Sequence, residues 1–245
     1  MNIIIALIIS LFAGFSTMIG GLFIFFPKFD NKYLVSALSF TLIIMIGISI
    51  FDLIPNALPI IYERYRIFSI AIILILMICS FIFIKIITSI NREEKGGLYR
   101  LGIMSMIILI IHNLPEGIIT FLTSYIDYKI GIKLAIAICL HNIPEGIAIA
   151  IPIYYATKNK KKALINTLYA SIAEPAGAVL AFIILKDHIN TFSIGITFIL
   201  VAGLMIGLSI EEIVPSINKY NNKKSIITGI ILGFIAIVVC ILLSQ

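Results

Sequence analysis

Long apolar runs separated by short polar stretches are the main pattern along this chain of 245 residues. A helix needs roughly 20 apolar residues to cross the hydrocarbon core of a bilayer. Eight runs are long enough: roughly 3–26, 34–55, 67–88, 101–123, 131–155, 164–185, 192–217 and 226–244. The pattern predicts an all-α polytopic membrane protein with eight transmembrane helices. Because every separator is short, residues 1–245 are predicted to form a single transmembrane domain.

The separators carry most of the 18 Lys and Arg residues, and these residues predict an orientation. If the N-terminus is outside, most of the basic residues, including the Lys158–Lys162 run, lie on the cytoplasmic side, as the positive-inside rule requires. Both termini are therefore predicted to be extracytoplasmic, in the plasma (inner) membrane. The Lys158–Lys162 run is also expected to attract anionic membrane lipid. The first run lacks a basic flank and a small-residue cleavage pattern, so it is read as a retained helix.

Composition excludes several classes of protein. Hydrophobic residues make up 61% of the chain and charged residues 12%, which is unsuited to a water-soluble core. The net charge of +6 does not indicate nucleic-acid binding, because the Lys and Arg residues lie in short loops between apolar runs. Cys79, Cys139 and Cys240 occur singly in apolar segments and form neither a disulfide framework nor a thiolate metal motif.

One six-residue word occurs twice, 29 residues apart: HNLPEG at 112–117 and HNIPEG at 141–146. Polar and ionisable side chains at membrane depth are costly and usually line a cavity or an ion path. Positions i and i+4 share a helix face, so the His and Glu of each word are predicted to point the same way. Pro115 and Pro144 are predicted to break their helices and to free the carbonyl groups four residues earlier.

The two words are predicted to face each other near the bilayer midplane, because a short loop around 124–130 makes their helices antiparallel neighbours. Glu174 adds a third acid at similar depth. Imidazole with carboxylate suits divalent ions such as Zn²⁺, Fe²⁺, Mn²⁺ and Co²⁺, and two ions bridged by Glu116 and Glu145 are plausible. An interhelical polar clamp without metal is the alternative. The candidate ligands are His112, Asn113, Glu116, His141, Asn142, Glu145 and Glu174.

Other polar residues in the apolar runs are weaker candidates. Asp52, at the outer end of the second run, is a candidate for the entrance of an ion path. Glu211 and Glu212, near the inner end of the seventh run, are candidates for its exit. Each is equally interpretable as an interfacial residue or as the partner of a nearby lysine. His188 lies beside Lys186 in an outer loop and is interpreted as a surface residue.

The doubled word on consecutive apolar segments resembles the ZIP (Zrt/Irt-like) metal transporters, and within them the bacterial ZupT-like branch. The resemblance extends over nearly the whole chain, including DLIP at 52–55 and SIEE at 209–212. It implies uptake of divalent metal, chiefly zinc, into the cytoplasm through a paired site on the fourth, fifth and sixth transmembrane helices.

The resemblance also implies how the ligands are shared. One ion would be bound by His112, Glu116, His141 and Glu145, and the other by Asn113, Glu116, Asn142, Glu145 and Glu174. Some members add a methionine from the second helix, for which Met45 is the candidate. Two features depart from the family: residues 91–100 contain no histidine, which argues against metal sensing by that loop, and Asn142 replaces an Asp found in some members.

Three functional readings compete. The leading one is a transporter of Zn²⁺ and also Fe²⁺, Mn²⁺, Co²⁺ and Cd²⁺, which is not an enzyme and has no resident cofactor. The second is an intramembrane metal-dependent hydrolase, although the HExxH word expected of one is absent. The third is a metal sensor, which lacks a soluble output domain. Predicted partners are the metal ions and membrane lipid, and a homodimer is compatible with the sequence.

Overall fold

The computed structural model describes residues 2–26, 30–90, 97–185, 191–220 and 222–244, and this part of the chain is helical throughout, without a strand. The all-α prediction is therefore confirmed there, while residues 27–29, 91–96 and 186–190, with His188, lie outside the described part. The α-helices are α1 Asn2–Gly21, α2 Asn31–Ile48, α3 Ile54–Tyr65, α4 Ser69–Ile90, α5 Leu98–Ile126, α6 Tyr128–Thr157, α7 Lys160–Leu180, α8 Thr191–Leu208, α9 Val214–Tyr220 and α10 Lys223–Ser244.

Six stretches of the described chain are long and apolar enough to cross a membrane, which makes this a multi-pass membrane protein. The stretch Asn31–Ser89 contains α2, α3 and α4, and the backbone at Arg66, between α3 and α4, has a positive φ of 46°. The other five are Ile3–Phe25, Leu98–Ile126, Tyr128–Thr157, Lys160–Ile183 and Phe192–Tyr220.

Several helices extend beyond the apolar runs that predict them. Residues 63–65 were predicted to be part of a separator, but they form the last turn of α3. The predicted loop at 124–130 is reduced to Asp127, whose carboxylate accepts a hydrogen bond from the backbone N–H of Lys129 at 2.8 Å. Hydropathy marks where side chains leave hydrocarbon, whereas a helix ends only where its backbone is capped or turned.

The prediction that Pro115 and Pro144 break their helices is wrong. Each lies inside one continuous helix, α5 or α6. A membrane helix tolerates proline when neighbouring groups satisfy the backbone polar atoms around it. Near the second of these prolines, the hydroxyl of Thr41 in α2 donates to the carbonyl oxygen of Pro144 itself at 3.0 Å.

A second repeated pattern becomes visible only with the structure. Residues Ser49–Leu53 and Ser209–Ile213 are both π-helical turns, and both have the form Ser-Ile-x-acid. Each is followed by a proline at the second position of the next helix, Pro55 in α3 and Pro215 in α9. Such π turns are frequently found at functional sites, and these two each contain a candidate acidic residue, unlike the π turn at Ala181–Leu185.

The helix packing places α1, α5, α6 and α7 in mutual contact at the centre. Around them, α2 packs on α6 and α10, and α4 packs on α8. Glycine permits the closest approaches: a Cβ on Gly146 of α6 would overlap the carbonyl oxygen of Thr17 in α1, and one on Gly117 of α5 would overlap that of Glu174 in α7. The central helices are therefore in backbone contact beside the two repeated words.

Candidate metal site

The two repeated words contact each other across α5 and α6. Nε2 of His112 lies 3.0 Å from Oε1 of Glu145, and Nε2 of His141 lies 3.0 Å from Oε1 of Glu116. The contacts are reciprocal and antiparallel, since the later residue on α5 meets the earlier residue on α6. All four side chains are almost completely buried. The words therefore face each other, as predicted.

A third helix joins the site through the two asparagines. The side-chain amide of Asn142 donates to Oε2 of Glu174 in α7 at 2.9 Å and to the carbonyl oxygen of Ala13 in α1 at 2.9 Å. The amide of Asn113 donates to the carbonyl oxygen of Ala170 in α7 at 3.3 Å. The seven candidate ligands therefore lie on three helices that pack together, six of them form hydrogen-bonded pairs with one another, and all seven are buried.

The site contains more buried acceptors than donors. One oxygen of each carboxylate and the side-chain carbonyl of each asparagine is buried without a hydrogen-bond partner in the described chain, as is one imidazole nitrogen. A buried polar atom without a partner is costly, and most are satisfied in native proteins. These atoms are Oε2 of Glu116 and of Glu145, Oε1 of Glu174, Oδ1 of Asn113 and of Asn142, and Nδ1 of His112.

Within the described residues, no three His, Cys, Asp or Glu side chains are already arranged around a common point suited to a metal ion. The imidazoles and carboxylates instead satisfy each other in pairs. A cation that used both members of a pair would have to replace the Nε2–Oε1 contact. The metal-binding role of the seven residues therefore stays a prediction.

The backbone contacts explain how short side chains from three helices meet. A Cβ on Gly177 of α7 would overlap the carbonyl oxygen of Leu114 in α5, and one on Gly117 would overlap that of Glu174. Because α5 and α7 touch through glycine on both sides, Asn113 reaches the α7 backbone directly. The final glycine of the word is thus part of how the site is built.

Three polar residues next to the site were missed by the sequence analysis. Thr120 donates its hydroxyl to the carbonyl of Glu116 at 2.8 Å, and Thr41 donates to that of Pro144. Ser171, one helical turn before Glu174 in α7, is buried and its hydroxyl has no partner in the described structure. The sequence feature that could have identified them is a hydroxyl side chain inside an apolar run. Thr120 lies four residues after Glu116 and Ser171 three residues before Glu174, so each shares a helix face with the acid.

Met45 and Asp52 lie on α2 and on the π turn that follows it. Met45 is fully buried, one turn after Thr41, so it shares the helix face that contacts α6. Asp52 is half-buried and accepts a hydrogen bond from the side-chain amide of Asn56 at 2.9 Å. Ser49, the first residue of the π turn, donates its hydroxyl to the carbonyl oxygen of Met45 in α2 at 2.8 Å.

The two acidic residues of the second π turn differ from each other. Glu212 is buried and forms an ion pair with Arg100 of α5, Nη2 to Oε1 3.3 Å, while Glu211 is half-buried. Arg100 also donates to the carbonyl of Thr88 in α4. Glu212 therefore has an arginine from another helix as an ion-pair partner.

Comparison with known proteins extends these observations. A profile described as "ZIP Zinc transporter" matches residues 88–241. The chain is similar to proteins named zinc transporter ZupT: 37% identical to that of Oceanobacillus iheyensis, covering 99% of this chain and 98% of the relative, and 35% identical to that of Streptococcus mutans, covering 97% of each. The ZupT of Campylobacter jejuni is 34% identical, over 95% of this chain and 94% of the relative. The chain therefore belongs to the ZIP zinc transporter family, in its ZupT-like branch.

Proposed function

We propose that this protein transports Zn²⁺ across the plasma membrane into the cytoplasm, and that the seven buried site residues bind the ion on its way. The surplus of buried acceptors carries the proposal. Five carboxylate and amide oxygens without a donor are costly in a membrane interior, and a divalent cation is the partner that satisfies several of them at once.

The family consists of transporters, so the chain is a transporter and not an enzyme, and it is a multi-pass protein of the plasma membrane. The hydrolase alternative is not favoured. A hydrolase of that kind is expected to have an HExxH word, in which a Glu between two His ligands acts as the base. In both words of this chain the residue after His is Asn.

The first ion is proposed to bind between the two words. Two crossed pairs already bring four side chains together, those of His112, Glu116, His141 and Glu145. A movement of these side chains would turn their four ligand atoms toward one metal ion. Two imidazoles and two carboxylates match the four-coordinate N and O ligation that Zn²⁺ prefers. Each Nε2–Oε1 contact would then be exchanged for two metal bonds.

A second ion is proposed beside the first, bridged by Glu116 and Glu145. Its further ligands would be Asn113, Asn142 and Glu174. The unpartnered oxygens support this, because both Oδ1 atoms and Oε1 of Glu174 remain available while the amide N–H groups are already used. An all-oxygen position of this kind suits harder ions such as Mn²⁺. Fe²⁺, Co²⁺ and Cd²⁺ are also proposed as substrates, because the imidazoles beside the carboxylates accommodate softer divalent ions.

The proposed path continues on both sides of this site. We place Asp52 at the entrance and Glu211 and Glu212 at the exit, with Met45 as an accessory ligand to the first ion. Support comes from the two π turns, which present these acids on helices flanking the central group. Eight crossings are proposed. The stretch that contains α2, α3 and α4 is divided at Arg66 into two crossings, α2 with α3 and then α4 alone. The last crossing is α10, which has 22 residues.

Flux through purified protein tests the proposal. Proteoliposomes containing an internal zinc indicator should fill with Zn²⁺ faster than protein-free vesicles. Glu145→Gln should reduce the initial rate to near the background. Glu63→Gln, at an exposed position of α3, is the matched control and should transport like the unmodified chain. Absence of flux, or equal flux with Glu145→Gln, would contradict the proposed function, and competition by Fe²⁺, Mn²⁺, Co²⁺ or Cd²⁺ measures its breadth.

A further inference from the structure

A pocket of about 320 Å³ lies where three apolar spans end. It is formed by the end of the first span, which finishes at Phe25, the end of α6 at Thr157, and the start of α7 at Lys160. Its position at the ends of the spans puts it at the boundary between hydrocarbon and water. The lining residues are Ile24, Phe25, Phe26, Tyr154, Tyr155, Lys158 and Lys160.

Two lysine ammonium groups are held at this pocket by aromatic rings. Nζ of Lys158 lies 4.9 Å from the ring centre of Tyr155, and Nζ of Lys160 lies 4.6 Å from that of Phe25. Both side chains are exposed, and no described carboxylate forms an ion pair with either of them. Cation–π contacts orient an ammonium group without neutralising it. The pocket therefore presents two positive charges to any ligand.

The lining also contains an apolar side. Phe25 and Phe26 are 52% and 61% exposed, although each is a large aromatic side chain at the end of a membrane span. Tyr155 is held in place by donating its hydroxyl to the carbonyl oxygen of Asp30 at 2.8 Å. Exposed phenyl rings next to ammonium groups match a ligand that is anionic at one end and hydrocarbon at the other.

We infer that this pocket binds a phosphate ester, with Lys158 and Lys160 contacting the phosphate oxygens, and that its source is the headgroup of an anionic phospholipid. Basic pockets at the ends of membrane helices bind lipid headgroups in this manner. The acyl chains would lie along Phe25 and Phe26. A soluble phosphate ester has the same charged end but gains nothing from the two phenyl rings.

Tryptophan fluorescence gives a clean measurement, because the chain contains no tryptophan. Phe26→Trp places a single reporter in the pocket lining, and Phe12→Trp, at a position of α1 that is 73% exposed, reports general lipid contact. Each full-length protein is reconstituted in phosphatidylcholine with increasing brominated phosphatidylglycerol, whose bromine atoms quench nearby tryptophan. The pocket reporter should be quenched more than the bulk fraction of the anionic lipid predicts, and the control reporter in proportion to it.

The lysines are tested by Lys158→Asn with Lys160→Gln, since asparagine tolerates the positive φ of 54° at position 158. The matched control removes two exposed charges at the start of α10, away from the pocket lining, Lys223→Gln with Lys224→Gln. Each lysine near a membrane surface is worth roughly five-fold in binding an anionic lipid. The binding constant of the anionic lipid at the pocket, relative to phosphatidylcholine, should therefore fall about ten-fold or more in the pocket variant. In the control variant it should stay close to that of the unmodified protein. Equal melting temperatures in pure phosphatidylcholine exclude misfolding of the variant.

A soluble arm distinguishes the two sources of phosphate. If glycerol phosphate at millimolar concentration does not relieve the quenching, the ligand is the lipid headgroup, as inferred. If it relieves the quenching in the unmodified protein, the pocket binds phosphate esters generally. The phosphate site is then supported, and only its assignment to a phospholipid headgroup is wrong. No enrichment at the pocket reporter, or an equal loss in both lysine variants, would overturn the phosphate site itself.

Discussion

Each imidazole of the site contacts the carboxylate of the opposite word, not the one four residues along its own helix. This crossing makes the four residues interdependent. Oε1 of Glu145 is contacted by His112, and Oε2 has no partner in the described structure, so loss of the imidazole leaves a buried carboxylate without a donor. Single substitutions at the site therefore act on both helices, and their effects should not be additive.

The three carboxylates should not be equivalent. Glu116 and Glu145 are proposed to serve both ions and Glu174 only the second. Glu116→Gln or Glu145→Gln should therefore reduce zinc uptake at least ~10-fold, whereas Glu174→Gln should retain binding and alter the rate or the metal preference. Glutamine preserves side-chain size, so the comparison reports the carboxylate charge. Uptake of radioactive zinc and calorimetric binding to purified protein are the measurements.

The paired-site assignment can fail in a definite way. Loss of all zinc binding in Glu174→Gln, together with normal binding in Glu145→Gln, would reverse the proposed roles. Glu63→Gln again provides the control for expression and handling, because position 63 is exposed on α3.

At this scale the sequence predicted which side chains meet but not how they pair. Helical periodicity places His and Glu of one word on one face, and the short connection makes the two faces opposed. Which nitrogen meets which oxygen depends on the axial offset between α5 and α6, which periodicity does not contain. The part played by Ala13 and Ala170 was also unpredictable, because their backbone carbonyls carry no sequence signal.

Between elements, the decisive quantity is how closely the helix backbones approach. Gly20 of α1 and Gly146 of α6 lie against each other, and a Cβ on Gly20 would overlap the carbonyl oxygen of Ile143. That carbonyl belongs to the HNIPEG word, so displacement of α1 would move the site. A Cβ on Gly14 would likewise meet the carbonyl oxygen of Ser171 in α7, so α1 packs closely on both neighbouring helices.

Two adjacent glycines allow a matched test of this contact. Gly20→Ala should destabilise the protein by about 1–3 kcal/mol, because the new methyl group meets backbone that cannot move independently. Gly21→Ala meets side-chain atoms only, with Cγ2 of Thr167 at 3.1 Å and Cδ2 of Leu164 at 3.5 Å, and should be near neutral. Melting temperatures in detergent compare the two. Equal effects would mean that the backbone contact between α1 and α6 is not limiting.

The ion pair of Arg100 with Glu212 joins α5 to the π turn after α8, and both side chains are nearly buried, at 8% and 6% exposure. Removing one partner of a buried pair typically costs roughly 3–5 kcal/mol, while replacing both costs much less. Arg100→Met and Glu212→Gln should therefore each lower the melting temperature strongly, and the double variant should recover part of the loss.

Glu211→Gln is the neighbouring control, since Glu211 is half-buried and has no ion pair in the described chain. Additive losses in the double variant would show that the two charges are not coupled. Partial recovery confined to the 100–212 pair would support a specific link between α5 and the proposed exit.

Prolines and π turns show why element boundaries were harder to predict than element identity. Pro115 and Pro144 indicate local loss of a hydrogen bond, but whether the helix ends there depends on how the surrounding helices pack. The two π turns conversely fall in runs that look uniformly helical. Both outcomes are decided by tertiary contacts, which the apolar pattern does not record.

Across the whole molecule, the helix–helix contacts come in corresponding pairs, and so do the repeated motifs. α1 packs on α6 as α7 packs on α5, and α2 packs on α10 as α4 packs on α8. The two words lie on α5 and α6, and the two acidic π turns follow α2 and α8. Such pairing of elements is typical of transporters built from inverted repeats, in which the site lies between the repeats, so the site alone does not give the direction of transport.

Orientation is therefore the prediction that decides the function of the whole molecule. The distribution of Lys and Arg predicts that the 158–162 run is cytoplasmic. After replacement of Cys79, Cys139 and Cys240 by alanine, Asn159→Cys should resist an impermeant thiol reagent in intact cells and react once the cells are permeabilised. Lys129→Cys, exposed at the other end of α6, should react in both cases. The reverse result would place the termini inside, and labelling of both positions in intact cells would mean that α6 does not cross the membrane.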